Sequence, residues 1–255
     1  MNYKISFSCI SHIGNVRSKN QDNFICDGQY LEFDNAEMDL PISGDVISKK
    51  PTLFGIFDGM GGEECGEIAS YIAAKEAAAT PLGKGGTTVL KEYCMRSNDK
   101  ICEHAQNNGI SSMGTTAAML LFSKKEITLC NIGDSKIFRF SDGKLEQISK
   151  DHVALMEFAV KPPLTQNLGI PSTEFIIDPY LAQGKYNDGD IYLICSDGLT
   201  DMVTNREIAD ELANNPFSEA LNNLLNKALE NGGRDNITII LCKIENNFRW
   251  LFKRR

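Results

Sequence analysis

The chain has 255 residues, with 26 lysines and arginines against 34 aspartates and glutamates, a formal charge of −8. At about 150 residues per domain this is one or two domains, and a sheet-rich fold can run to this length as one unit. Apolar residues make up 42% and charged residues 24%, which excludes a disordered chain, and the acidic balance excludes a general nucleic-acid binder because no net positive field draws phosphates in.

In chain order, Ile5 to Ile10 and Asn23 to Cys26 alternate apolar residues as strands do. Residues 27–51 are acidic and punctuated by Gly and Pro, reading as a hairpin or surface excursion. Leu53 to Phe57 is a short buried strand that runs into Asp58-Gly59. An Ala-rich helix spans about Glu64 to Thr80, Gly83 to Gly86 break it, and a second helix runs from about Thr88 to Asn107. Strands follow at Thr115–Phe122, Glu126–Ile132 and Lys136–Phe140, and Asp142-Gly143 turns the chain into Lys144–Ile148. Ile191–Cys195 and Ile237–Ile244 are β-branched strands, and Asn205–Asn214 and Ser218–Asn231 between them are helices. Strands come in consecutive runs without strict βαβ alternation, which favours α+β with antiparallel sheets over a doubly wound fold. No repeat, low-complexity tract or long linker interrupts the chain.

Eight cysteines show neither CxxC nor zinc-ligand spacing, and Cys130, Cys195 and Cys242 lie in apolar runs where a free thiol acts as a small hydrophobe. The N-terminal MNYKISFSCI lacks an apolar signal core, and no apolar run reaches the roughly 18 residues of a spanning helix. Reduced thiols and a cytoplasmic location are therefore expected.

Three apolar strands end in an aspartate beside Gly or Ser: LFGIFDGMGG (Asp58), TLCNIGDSKIF (Asp134) and IYLICSDGLTD (Asp197). Asp235 in GGRDNITIILC and Asp22 in RSKNQDNF each stand just before a strand. Asp-Gly by itself marks a turn, as it does at Asp27, Asp142 and Asp188. Five aspartates at strand ends are a different matter. Strand ends of a packed sheet converge, and like charges at one place repel unless a cation holds them. Carboxylate donors favour Mg²⁺ or Mn²⁺ over zinc.

These segments resemble the protein phosphatase 2C family of metal-dependent Ser/Thr phosphatases. GNVRSKNQDNF (14–24), FGIFDGMGGEECGEIAS (54–70), MGTTAAMLL (113–121), CNIGDSKIF (130–138), ISKDH (148–152), LTQNLG (164–169), DIYLICSDGLTD (190–201) and GGRDNITII (232–240) occur in the family's order and span almost the whole chain. DGMGG with Met60 is the form typical of bacterial members. The resemblance implies a central antiparallel β-sandwich flanked by helices on both faces, in one domain over 1–246 followed by a short basic-aromatic tail, 247–255. It implies two Mn²⁺ or Mg²⁺ ions with a weaker third. Asp58 resembles the carboxylate bridging the two ions, the Gly59 carbonyl a ligand of the second, and Asp197 and Asp235 the remaining ligands of the first. Asp22 resembles an acceptor for metal-bound water, Asp134 the partner of Asp197 at the third ion, and Arg17 the arginine that grips the substrate phosphate, which suits its bidentate fork.

The expected activity is hydrolysis of phosphoserine and phosphothreonine by a hydroxide bridging the two metals, opposing a bacterial protein kinase, by a monomer. The chain departs from the family in three places. Met60 replaces the histidine of eukaryotic relatives, Gln21 stands where many members have Glu, and the flap from His152 to Pro163 is short, which is expected to leave the site open. Other catalytic patterns fail: Cys9 to Arg17 is C-x7-R and not the C-x5-R of cysteine phosphatases, and Lys84 in GKGG is not a phosphate-loop lysine. His12 and His104 read as surface or capping residues, His152 as a packing or hydrogen-bonding residue, and Thr115-Thr116 as structural. The tail RWLFKRR invites contact with an anionic membrane, against the plainer alternative of aromatics packed on the body. A rival function is a phosphoprotein-binding pseudophosphatase without turnover, which predicts loss of metal carboxylates. Asp22, Asp58, Asp197 and Asp235 are all present.

Overall fold

A strand covered on both faces loses the alternation of a half-buried one, and the longest apolar runs of this chain are of that kind. The computed structural model describes residues 3–32, 37–60, 65–83, 85–124, 126–155 and 162–246. In order, the elements are β1 (Tyr3–His12), β2 (Asp22–Cys26), β3 (Ile42–Ile47), β4 (Thr52–Met60), α1 (Gly66–Ala79), α2 (Gly86–Asn108), β5 (Gly114–Thr115), β6 (Ala117–Phe122), β7 (Ile127–Ile132), β8 (Lys136–Ser141), β9 (Lys144–Gln147), β10 (Tyr180–Gly184), β11 (Ile191–Cys195), α3 (Asp197–Thr200), α4 (Asn205–Asn214), α5 (Phe217–Glu230) and β12 (Ile237–Asn246).

Two antiparallel sheets result, ordered β3-β1-β12-β11-β8-β9 and β10-β7-β6-β4-β2, with β5 pairing on β4. They face each other. Phe7, Phe24, Phe54, Ala118, Leu120, Phe122 and Ile240 fill the space between them. The opposite face of the second sheet (Leu53, Phe57, Met119, Leu121) packs on α1 and α2. The opposite face of the first (Ile237, Ile239, Leu241) packs on α3, α4 and α5. This is the expected four-layer αββα sandwich. It explains why β6 is buried at every position, with alternate residues entering two different cores. On α1 the buried residues are all small (Gly66, Ala69, Ser70, Ala73, Ala74 and Ala77), so the helix lies close on the sheet. A capping box between Thr204 and Glu207 starts α4.

Three elements differ from the expectation. Within 27–51 lies a true strand, β3, on the edge of the first sheet and paired to β1 from Lys4↔Ile47 to Cys9↔Ile42. The edge strand β10 (YLAQG) carries no β-branched residue and is fixed by pairing with β7. The four-residue α3 was not anticipated. The expected start of the first helix at Glu64, the tip of the 152–163 flap (156–161) and the 247–255 tail lie outside the described residues. The flap's base is closed by a bridge between Val153 and Leu164 and by Thr165 N–H donating to the His152 carbonyl at 2.8 Å. No helix among the described residues is long and apolar enough to cross a membrane.

Candidate metal centre at one end of the sandwich

The Asp-Gly pairs divide by conformation. Asp27-Gly28 and Asp142-Gly143 have positive φ at both residues and turn hairpins, whereas Asp58-Gly59 lies inside the last residues of β4 and Asp197-Gly198 opens α3. Neither of the last two is a turn. Their conformations are set by close packing: a Cβ on Gly59 would sit 2.1 Å from the Gly66 carbonyl, and one on Gly198 2.0 Å from that of Asn236.

Asp58 is held through its main chain. Its N–H donates to Thr116 Oγ1 (3.0 Å), and its carbonyl accepts from Thr116 N–H (2.9 Å) and Thr115 Oγ1 (3.0 Å). Thr116 Oγ1 bonds in turn to Ser135 Oγ at 2.7 Å, in the loop that carries Asp134. The Thr115-Thr116 pair, which the sequence marked only as structural, thus ties the ends of β4 and β7 together. Gly133 holds that loop in a left-handed turn (φ 101°), and His152 clamps it: its N–H donates to the Gly133 carbonyl (2.9 Å) and its Nδ1 accepts from Gly133 N–H (3.3 Å). Burial lowers the His152 pKa, in keeping with a neutral ring that accepts at Nδ1. The hydrogen-bonding role expected of His152 is the one it has.

Asp22 is the cross-strand partner of Asp58. It is buried, and a directed chain of hydroxyls ends on it. Thr238 Oγ1 donates to its Oδ2 at 2.7 Å, so Ser11 donates to Thr238 (2.8 Å) and Asn20 Nδ2 donates to Ser11 (2.9 Å). Ser196 bonds to Asp22 as well. Burial, opposed by these bonds and reinforced by Asp197 and Asp235, pushes the Asp22 carboxyl up to about 7. Asp58 is held well above the usual carboxylate range, first by desolvation and then by Asp22, Asp197, Asp134 and Asp235. The other four aspartates singled out in the sequence therefore all act on Asp58, at one end of the sandwich.

Arg17 reaches this group from the loop between β1 and β2. Its Nη2 donates to Asp235 Oδ2 at 2.7 Å, and Asp235, then Asp58 and Asp197, favour its charge. The other Asp235 oxygen accepts from Asn236 N–H at 2.9 Å. Asn236, which sequence reasoning missed, fastens the loop: its Nδ2 donates to the carbonyls of Ile13 and Lys19 (both 2.9 Å), and its Oδ1 accepts from Gln21 N–H (2.8 Å). Gly14 (φ 84°) lets the loop touch down, since a Cβ there would lie 2.3 Å from the Asp235 carbonyl. Thr238, Ser11 and Ser196 were missed too. Their signal was a hydroxyl inside or next to an otherwise apolar strand. On the far side, Lys136 bridges the Asp134 carbonyl and the Asp151 carboxylate, each at 3.0 Å.

The donors are all oxygen, from carboxylates and main chain, which is the chemistry a hard divalent cation requires. Among the described residues no group of three or more Asp, Glu, His or Cys side chains is placed to hold a metal ion as it stands. The carboxylates converge on Asp58 and raise its proton affinity, so the group fits a cation's counter-charge, and Arg17 supplies one such charge to Asp235.

The sequence profile of the family described as Protein phosphatase 2C matches residues 46–242. The serine/threonine protein phosphatase PstP of Mycobacterium tuberculosis is 30% identical, over 78% of this chain and 42% of that protein. This chain therefore spans less than half of that relative. The serine/threonine phosphatase stp of Listeria welshimeri is 28% identical, over 74% of this chain and 82% of the relative. Among solved structures, the catalytic domain of PstP in complex with two manganese ions superposes with a TM-score of 0.79 at 26% identity, covering 96% of this chain and all of that one. The Streptococcus agalactiae serine/threonine phosphatase gives 0.74 at 25%, covering 94% and 100%. With a profile match over more than half its length and an αββα sandwich carrying the aspartates at one end, this chain belongs to the protein phosphatase 2C family.

Proposed function

We propose that this chain is a metal-dependent protein phosphatase acting on phosphoserine and phosphothreonine. The observation that carries the reading is the convergence of Asp22, Asp58, Asp134, Asp197 and Asp235 beside Arg17. Asp58, Asp197 and Asp235 with the Gly59 carbonyl would hold two Mn²⁺ or Mg²⁺ ions, and Asp134 with Asp197 a third. When bound, such ions polarise a phosphoryl oxygen and make water acidic enough to supply hydroxide near neutral pH. The manganese of the PstP catalytic domain supports this choice of cation.

The chain's own residues do the positioning. Arg17 is exposed and offers a planar pair of N–H donors to a phosphate, while Asp235 sets the direction of its fork. Asp22, buried and fed by the Asn20–Ser11–Thr238 chain, is an acceptor that orients solvent at the Asp58 carboxylate. The Thr115-Thr116 clamp fixes Asp58 without touching its carboxylate, leaving that group for the cation.

The phosphatase unit spans 1–246, since Arg17 and Asp22 precede the profile match and β1 is an inner strand of its sheet. It acts as a cytoplasmic monomer on phosphoproteins and opposes a protein kinase. The retained carboxylates speak against a pseudophosphatase. Hydrolysis of p-nitrophenyl phosphate and of a phosphothreonine peptide, with Mn²⁺, with Mg²⁺ and with EDTA, tests the activity. Turnover that requires metal and disappears in Asp197→Ala is expected. Folded protein inert with both metals would overturn the reading.

A further inference from the structure

A cleft of about 970 Å³ begins beside the carboxylate group and leads away from it. Met60, two residues past Asp58, stands at its near end, and its cross-strand partner Gly114 continues the wall. The C-terminal half of α2 forms one side, the segment 169–174 the other, and the buried Met113 lies beneath. That volume lies in the range of clefts that enclose a ligand, and the neighbouring phosphatase site gives this one a direction.

The lining carries three exposed carboxylates, Asp99, Glu103 and Glu174, and no Lys, Arg or His. The lysines beside Glu103 are engaged elsewhere: Lys100 with Glu76, and Lys75 over the Tyr71 ring. Asp99 and Glu174 both act on the thiol of Cys102, so they face one part of the cleft. The 23-residue α2 ends here at Gly109 with no basic residue in its last turn, and the negative end of its dipole adds to the same field. The main-chain N–H groups of Ser111 and Ser112, which line the cleft, donate to nothing among the described residues and can meet the carbonyls of an extended chain.

We propose that this cleft receives a basic stretch of the phosphoprotein substrate next to its phosphorylated residue, so that the enzyme prefers phosphosites flanked by Lys or Arg. The inference rests on the phosphatase reading and adds a specificity to it. Charge complementarity selects the occupant: an acidic or phosphate-rich partner would be repelled, and an uncharged one would leave the carboxylates without a counter-charge.

The test uses phosphothreonine peptides that differ only in their flanks, with a Lys pair on the N-terminal side, a Lys pair on the C-terminal side, or Glu in both places. p-Nitrophenyl phosphate is too small to reach the cleft. Wild type is compared with the triple variant Asp99→Asn, Glu103→Gln, Glu174→Gln, with Glu174→Gln alone, and with a charge-matched control, Glu146→Gln, Glu219→Gln, Glu230→Gln, on the other sheet's side. In wild type, kcat/KM for one Lys-flanked peptide exceeds that for the Glu-flanked peptide by about fivefold or more, as a few exposed ion pairs allow. That ratio collapses in the triple variant, falls in Glu174→Gln, and persists in the control, while turnover of p-nitrophenyl phosphate is the same in all. Equal kcat/KM for the three peptides in wild type, or a ratio that survives in the triple variant, overturns the proposal. Failure of every protein on p-nitrophenyl phosphate would instead strike the phosphatase reading, and the proposal with it.

Discussion

Arg17 Nη2 donates to Asp235 Oδ2 at 2.7 Å, joining residues 218 positions apart at the mouth of the carboxylate group. The arginine expected to grip phosphate is thus aimed by an aspartate expected to hold metal. A lysine at 17 keeps the charge and loses the fork. Arg17→Lys is therefore expected to cut kcat/KM for a phosphopeptide about tenfold or more through KM, and Arg17→Ala further, with the melting temperature little changed because the side chain is exposed. Steady-state kinetics beside a thermal melt would check this; a large drop in melting temperature would show a structural role instead.

The loop that carries Arg17 rests on Gly14, whose φ of 84° and lack of a Cβ allow contact with the Asp235 carbonyl. Gly14→Ala adds strain of about 1–2 kcal/mol and lifts the loop. The expected result is a rise in KM like that of Arg17→Ala, from a substitution that removes no charge. Wild-type kinetics for Gly14→Ala would contradict it.

Thr238 both donates to Asp22 and accepts from Ser11 in a buried setting. Thr238→Val leaves two polar groups without that partner, and should cost about 1–3 kcal/mol of stability in urea unfolding. Thr238→Ser, which keeps the hydroxyl, should recover most of it. Equal losses in both variants would mean that packing, not the hydrogen bonds, is what matters there.

The Asp22 carboxyl sits at about 7 in the folded protein against 3.8 in the unfolded chain. Between those values the folded state keeps a proton that the unfolded chain has released. In metal-free protein this group therefore favours folding at low pH, and that contribution is lost as pH rises from about 4 through about 7. The difference is on the order of 4 kcal/mol at most. Asp22→Asn should flatten this part of the stability-versus-pH curve measured in EDTA. A metal-free curve whose slope is the same in both proteins would refute the assignment.

Much of this molecule was legible in its sequence, and the reason is local. Strands such as Ala117–Phe122 and Ile191–Cys195 are buried on both faces, so they appear as nearly unbroken apolar runs whatever their neighbours are. An aspartate at the end of such a run is conspicuous because a charge is costly there without a partner. That is why Asp58, Asp134 and Asp197 could be picked out, and the eight ordered motifs supplied the family.

The tertiary structure decided what depends on partners distant in the chain. β3 and β10 are strands because β1 and β7 offer them an edge to pair with, not because their own residues demand it. Asp58-Gly59 and Asp142-Gly143 are the same dipeptide, yet one ends an inner strand and the other turns a hairpin, since main-chain partners such as Thr116 choose between the conformations. The hydroxyl chain onto Asp22 and the Asn236 fastening of the Arg17 loop join residues from both ends of the sequence. A hydrogen bond needs its two groups within about 3 Å, and only the closed sandwich brings these pairs to that distance.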